Sequence, residues 1–235
     1  MNTMTDRKFT MPSNARRRVL SLCTVLSVIL FTASSPTYAQ DAGVRTVRYL
    51  ALGDSFTIGT GGPPDLAFPA QLKRFAMKRG VDLRLENVAV NGYSTREVID
   101  EELAALTRFK PDLVTLAVGA NDIVRHDDEA AYRRNLKRIF KAINDVKPRT
   151  VLVLPQPDWS QSPVSEGFGD RAVIRARIEK YNAILAEEAK TAGAQYVDLF
   201  PQFVEQAKAG LIAPDGLHPN SKAYTAWANA LLALL

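Results

Sequence analysis

One cysteine and two histidines are all that the 235-residue chain carries of the soft and imidazole ligands. Cys23 falls inside an apolar run near the N-terminus, and His126 and His218 lie far apart. A disulfide framework, thiol chemistry and a Cys/His metal cluster are therefore excluded, and no metal or other cofactor is implied. Long hydrophobic runs are equally scarce. The longest, Val19 to Phe31, has about 13 residues against the ~20 that cross a bilayer. It follows Arg16, Arg17 and Arg18, and it leads to Thr37-Tyr38-Ala39, with small residues at −3 and −1 of a cleavage position before Gln40. This pattern reads as an export signal over residues 1–39, which leaves one domain over 40–235. The arginine triplet also permits a twin-arginine route, while Leu22 is too large for lipoprotein processing at Cys23. A periplasmic or secreted protein with no stable membrane anchor is expected.

A strong charge of either sign is missing as well. The formal +5 owes much to the leader, which holds five basic residues and one acid; the rest has 25 bases against 24 acids. That balance removes the case for a nucleic-acid partner.

From Val44 onward, short apolar runs alternate with amphipathic ones. Val47–Leu52, Leu83–Val90, Leu113–Val118, Val151–Leu154 and Tyr196–Phe200 read as strands, the third and fourth apolar enough to be covered on both faces. Tyr132, Leu136, Ile139, Phe140, Ile143 and Val146 draw one helical stripe that Pro148 ends. Ile174, Ile178, Tyr181, Leu185 and Ala189 draw another that stops at Gly193. Strand alternating with helix implies an α/β fold with a parallel sheet, whose function sits at the carboxyl ends of the strands. Pro155–Gly169, with three prolines and two glycines, reads as a loop bordering that edge.

Those strand ends carry polar groups. Gly53-Asp54-Ser55-Phe56 follows the first strand, Asn87 to Gly92 the second and Gly119-Ala120-Asn121-Asp122 the third. A serine on a glycine-introduced turn exposes its hydroxyl, a glycine brings a bare N–H close, and an asparagine supplies uncharged N–H donors to an oxyanion. Taken singly, Gly92 and Asn121 read better as an ordinary turn or helix cap, and Gly53-Asp54-Ser55 is a weak signal that an N-cap also explains. Asp215-Gly216-Leu217-His218-Pro219 supplies what a serine lacks. Histidine is the base suited to neutral pH, and an aspartate three residues away can orient its ring. His126, in the run Arg125-His126-Asp127-Asp128, reads as solvated surface.

In this order the four segments resemble the blocks of the SGNH (GDSL) hydrolase family, and the resemblance spans essentially all of residues 40–235. It implies a three-layer α/β/α, flavodoxin-like fold around a five-stranded parallel sheet. It further implies Ser55 as nucleophile, His218 as general base and acid, and Asp215 as its supporting carboxylate. The N–H groups of Ser55 and Gly92 with the Asn121 side chain become the oxyanion hole, and Asp54 and Asp122 become local braces. Asn91 departs from the small residue that many members carry before the glycine. The expected activity is hydrolysis of carboxylic esters by a monomer: a short or medium-chain acyl esterase, lysophospholipase or thioesterase. A carbohydrate acetyl-esterase, with Trp159 stacking on a sugar, and a non-catalytic cell-envelope binding module are the alternatives. Phe56, Ile58, Leu66, Phe68 and Pro157-Asp158-Trp159 are expected to line an acyl groove.

Overall fold

A computed structural model describes residues 43–235; the leader proposed over residues 1–39 lies outside them. Five parallel strands, β1 (Arg45–Gly53), β2 (Val81–Asn87), β3 (Leu113–Ala117), β4 (Thr150–Val153) and β5 (Gln195–Tyr196), form one sheet in the order β2-β1-β3-β4-β5. The helices are α1 (Ser55–Ile58), α2 (Phe68–Met77), α3 (Thr95–Glu97), α4 (Ala104–Phe109), α5 (Ala120–Val124), α6 (Glu129–Asp145), α7 (Arg171–Thr191), α8 (Phe200–Lys208) and α9 (Ser221–Leu232). A π-helical turn, Val98–Glu102, joins α3 to α4. α2 packs on α9 and on β2, while α6 packs on α7. This is the three-layer α/β/α arrangement expected from the sequence.

The elements follow their residues. Every side chain of β3 is buried, and Thr115 within it meets Tyr49 Oη at 3.0 Å, so the polar atoms of this central pair satisfy each other. Asp128 and Asp170 cap α6 and α7 by accepting their first N–H groups. β2 and β5 end several residues before the sequence suggests. β2 ends at Asn87 because that side chain turns the chain, accepting the Ala89 N–H at 3.2 Å and donating to Thr57 O at 3.1 Å. β5 stops after two residues because Phe200-Pro201 opens α8, where proline suits the first turn.

Gly53 of β1 lies opposite Ala117 of β3, so these strands end level. The chain leaves β1 toward β2 on one side and returns to β3 on the other. The gap between their ends is the switch point at which such sheets bind ligands. Both Ser55 and Asn121 follow it directly.

The layer of α2, α8 and α9 is held by aromatic packing. Trp227 is buried, with the ring of Phe203 at 4.2 Å, Tyr224 at 5.0 Å and Phe68 at 5.9 Å, and its indole N–H donates to Gln206 Oε1 at 2.9 Å. Trp227→Ala is expected to cost about 3–5 kcal/mol in urea unfolding; a loss below about 1 kcal/mol would contradict this packing.

Candidate active site

The turn that carries Ser55 is built around a glycine with no spare room. A Cβ on Gly53 would come within 2.3 Å of Ala117 O and 2.5 Å of Thr57 Oγ1, so only glycine lets β1 end against β3. Asp54 then caps α1, its Oδ1 accepting the Phe56 N–H at 3.0 Å. Ser55 becomes the first helical residue, whose N–H has no partner among the described residues.

His218 and Asp215 form a pair inside their own loop. His218 Nδ1 lies 2.7 Å from Asp215 Oδ2, while Asp215 Oδ1 accepts the N–H groups of Leu217 at 2.9 Å and His218 at 3.0 Å. Burial pushes the Asp215 carboxyl up, but these N–H groups and the imidazole outweigh it and hold the group below the usual carboxylate range. An ionised Asp215 keeps the proton on Nδ1 and leaves Nε2 as an acceptor. The His218 ring packs at 5.2 Å on Phe56, the residue that follows Ser55. Ser55 and His218 are not hydrogen-bonded to each other in this structure, as is common before substrate tightens a site.

The third and fourth groups meet them at the same edge. Asn121, on α5, lines one pocket of about 380 Å³ with Ser55, Phe56, Trp159, Phe168 and Leu217. One amide N–H of Asn121 donates to Tyr93 O at 2.9 Å, which holds the amide and leaves its second N–H. Gly92 sits in the turn so tethered, and its N–H donates to no described residue. Ser55 and Asn121 thus share one pocket wall, His218 and Asp215 connect to it through Phe56, and Gly92 through the neighbouring Tyr93. His126 is exposed, against Arg177, as expected.

The groove expectation holds only in part. Phe56 and Trp159 line the pocket, but Phe68 is core against Trp227, and neither Ile58 nor Leu66 lines it. Phe168, Val124 and Leu217 complete the wall instead. A second, apolar pocket of about 340 Å³ lies behind Phe56, Trp159 and Leu217. Among the described residues no group of three or more His, Cys, Asp or Glu is placed to hold a metal ion.

Beneath the site lie three buried acids. Asp122 accepts the Thr95 N–H at 3.0 Å and also its hydroxyl, and burial pushes it up to about 6. Burial raises Asp54 to about 8, against the Phe56 N–H and helped by the charge of Asp122. Glu102, on the π-helical turn, accepts the Gly53 N–H at 2.9 Å, and burial with the neighbouring Asp54 takes it to about 8. Asp54 Oδ2, Glu102 Oε1 and Thr57 Oγ1 have no hydrogen-bond partner among the described residues. Glu102 escaped the sequence reading, as did Gly61, whose absent Cβ would lie 2.6 Å from Asp215 Oδ2. For Gly61 the run Gly59-Thr60-Gly61-Gly62 was a signal; for Glu102 there was none.

A parallel sheet of this order, with a serine and an asparagine at its switch point and a His–Asp pair in a loop against them, defines a hydrolase of the SGNH kind. The profile of the GDSL-like Lipase/Acylhydrolase family matches residues 51–226, and the chain belongs to that family. Its similarity to an arylesterase of Vibrio mimicus is 27% identity over 202 residues, 85% of this chain and 90% of that one. Esterase TesA of Pseudomonas aeruginosa is 28% identical over 204 residues, 86% of this chain and 90% of its own. The crystal structure of TesA superposes with a TM-score of 0.65 at 22% identity, covering 79% of this chain and 96% of that chain. Acetylxylan esterase Axe2 from Geobacillus stearothermophilus gives 0.64 at 17% identity, covering 81% and 94%. The protein is a carboxylic ester hydrolase.

Two outcomes follow from this geometry. Gly61 has φ of +90°, and a methyl group there would press on the carboxylate that orients His218, whereas nothing lies within 4 Å of one on Gly62. Gly61→Ala should lower kcat/KM by roughly 100-fold through a misplacement on the order of 1 Å, with Gly62→Ala close to wild type in the same ester assay. The second concerns pH. Between its ordinary 4.5 and about 8, the folded protein keeps a proton on Glu102 that the unfolded chain releases, so this group's contribution to stability is lost as pH rises through that window. Glu102→Gln keeps an acceptor for Gly53 without the titration. Urea unfolding from about pH 5 to 9 should show the variant gaining on wild type by at most about 1.4 kcal/mol per pH unit, then levelling off above about 8. A pH-independent difference would refute the buried, protonated Glu102.

Proposed function

We propose that the protein hydrolyses esters of short or medium apolar acyl groups through an acyl-enzyme on Ser55. The observation that carries this reading is the oriented His218–Asp215 pair packed on Phe56, next in sequence to a serine whose N–H has no partner among the described residues. Ser55 Oγ attacks the ester carbonyl as His218 Nε2 takes its proton. The carbonyl electron pair moves onto oxygen, where the N–H groups of Ser55 and Gly92 and the Asn121 amide receive it. Collapse breaks the bond to the alcohol, which leaves with the proton from His218. Water then repeats the sequence in the opposite sense, releasing the carboxylic acid and restoring Ser55.

The pocket supports an apolar acyl group. Phe56, Trp159, Phe168 and Leu217 wall it, and Val124 and Phe168 keep exposed apolar surface at its rim. Trp159 is only 5% exposed, so it offers no open face for stacking on a sugar, which favours the acyl reading over a carbohydrate acetyl-esterase. Oxygen esters, lysophospholipids and thioesters present the same carbonyl to these groups. Export with removal of residues 1–39 is supported by the arginine triplet, the short apolar run and Thr37-Tyr38-Ala39. Among the described residues no helix is long and apolar enough to cross a membrane.

The test is turnover of p-nitrophenyl esters from about two to sixteen carbons, with Ser55→Ala alongside. We expect an optimum at short or medium length and a loss of at least about 1,000-fold in the variant. Well-folded protein without turnover on any chain length would overturn the acyl reading and leave a narrow carbohydrate-ester specificity or the binding-module alternative.

A further inference from the structure

The Gly92 N–H is the one donor of the proposed oxyanion hole with no regular structure behind it. Ser55 is fixed by a helix start and Asn121 by α5, but Gly92 lies in a turn with φ of +84°, and no atom lies within 4 Å of where a Cβ would stand. Sterics therefore do not hold this residue, and a peptide free to rotate does not keep an N–H aimed at one point. What does hold it is polar. Arg125 Nη2 donates to Gly92 O at 2.7 Å, and Asn121 Nδ2 donates to Tyr93 O, so successive carbonyls after the N–H are both pinned from α5.

Arg125 is itself anchored. Its Nη1 donates to Glu97 Oε1 at 2.7 Å and lies 3.4 Å from Ser94 Oγ. Glu97 is the far half of a capping box, accepting from the Ser94 N–H at 2.8 Å and the Ser94 hydroxyl at 2.6 Å. Burial pushes Glu97 up, but Ser94 and Arg125 prevail and take it down to about 2, so the anchor is charged at any working pH. The Arg125 N–H also donates to Asn121 O at 2.9 Å, one helical turn back. Asn121 and Arg125 thus act from one rigid piece, the first at the pocket and the second behind the turn.

We propose that Arg125 is a positioning residue of the ester hydrolysis, locking the Gly92 turn so that its N–H stays in the oxyanion hole. This rests on the catalytic reading given above. An exposed Arg–Glu pair with only a structural role would contribute about 0–1 kcal/mol to stability and nothing to rate. Holding a transition-state donor changes kcat instead, by less than the 100- to 1,000-fold of deleting a donor.

The test uses the purified protein with Arg125→Met, Arg125→Lys and Glu97→Gln, a short p-nitrophenyl ester, and a trifluoromethyl ketone that forms a tetrahedral oxyanion adduct on the serine. Arg125→Met should lower kcat roughly 10- to 100-fold and weaken the ketone in proportion, with KM within about threefold of wild type. Arg125→Lys should recover part of the loss, and Glu97→Gln should fall between wild type and Arg125→Met. If Arg125→Met lowers only the melting temperature, or raises KM at unchanged kcat, the proposal is overturned in favour of a structural pair or a direct substrate contact. Where Arg125→Met does not fold, Arg125→Lys and Glu97→Gln decide, since unchanged kcat and ketone affinity in both overturn it. Ser55→Ala separates the two levels. An active Ser55→Ala variant defeats the catalytic reading itself, whereas an inert one beside a fully active Arg125→Met defeats only the role of Arg125.

Discussion

The close approach of β1 and β3 at Gly53 and Ala117 is the constraint from which the candidate site is laid out. Parallel pairing makes the two strands end level, and the missing side chain of Gly53 lets the Ala117 carbonyl and Thr57 pack where a Cβ would stand. Because the chain departs to opposite sides from these ends, nothing of the sheet fills the gap between them. A serine placed two residues after one strand and an asparagine four residues after the other are then neighbours. Neither needs an unusual conformation of its own.

That packing has an electrostatic consequence. The candidate site, where the proposed mechanism develops a negative charge, stands over Asp54, Glu102 and Asp122, all buried. Ionised carboxylates in a medium of low polarity would oppose an oxyanion strongly. Burial resolves the conflict by holding Asp54 and Glu102 protonated near neutral pH, so they serve as hydrogen-bonding braces for the turn without adding charge. Asp122, pushed up only to about 6, is instead engaged by the N–H and hydroxyl of Thr95. The folded state thereby accepts a cost in polar burial beneath the very residues that need rigid placement.

The parts legible in the sequence are those whose partners are close along the chain. Asp215 and His218 are three residues apart, the long helices α6 and α7 repeat their apolar positions every three or four residues, and the buried strands are nearly continuous in apolar residues. Ser55, Gly92 and Asn121 were legible because strand ends collect ligands in any parallel sheet. Glu102 and Arg125 were not, since each acts on a backbone atom 33 or more residues away, Gly92 O for Arg125 and the Gly53 N–H for Glu102. Phe68 misled for a related reason: its spacing suits groove or core alike, and only Trp227, distant in sequence, decides for core. β5 was overread because an apolar run gives no sign of where a helix will claim its end.

The proposed acid–base half of the site is built within a single loop and not on the sheet. The loop from Leu211 to Asn220 closes on itself through an Ile212–Pro219 bridge, the Ala213 N–H to His218 O at 2.7 Å and the Asn220 N–H to Leu211 O at 3.0 Å. Within it Asp215 satisfies two backbone N–H groups and the imidazole at once, so the orientation of His218 is decided before the loop meets the rest of the protein. The nucleophile half is equally self-sufficient, fixed by Gly53, Asp54 and Glu102. What joins them is small and apolar: Phe56 on the His218 ring, Gly61 against Asp215, and Val164 beside Gly216. Alignment of Ser55 with His218 is therefore a property of packing between the two halves, and in the proposed mechanism side chains outside the reacting pair set the distance across which the proton must pass.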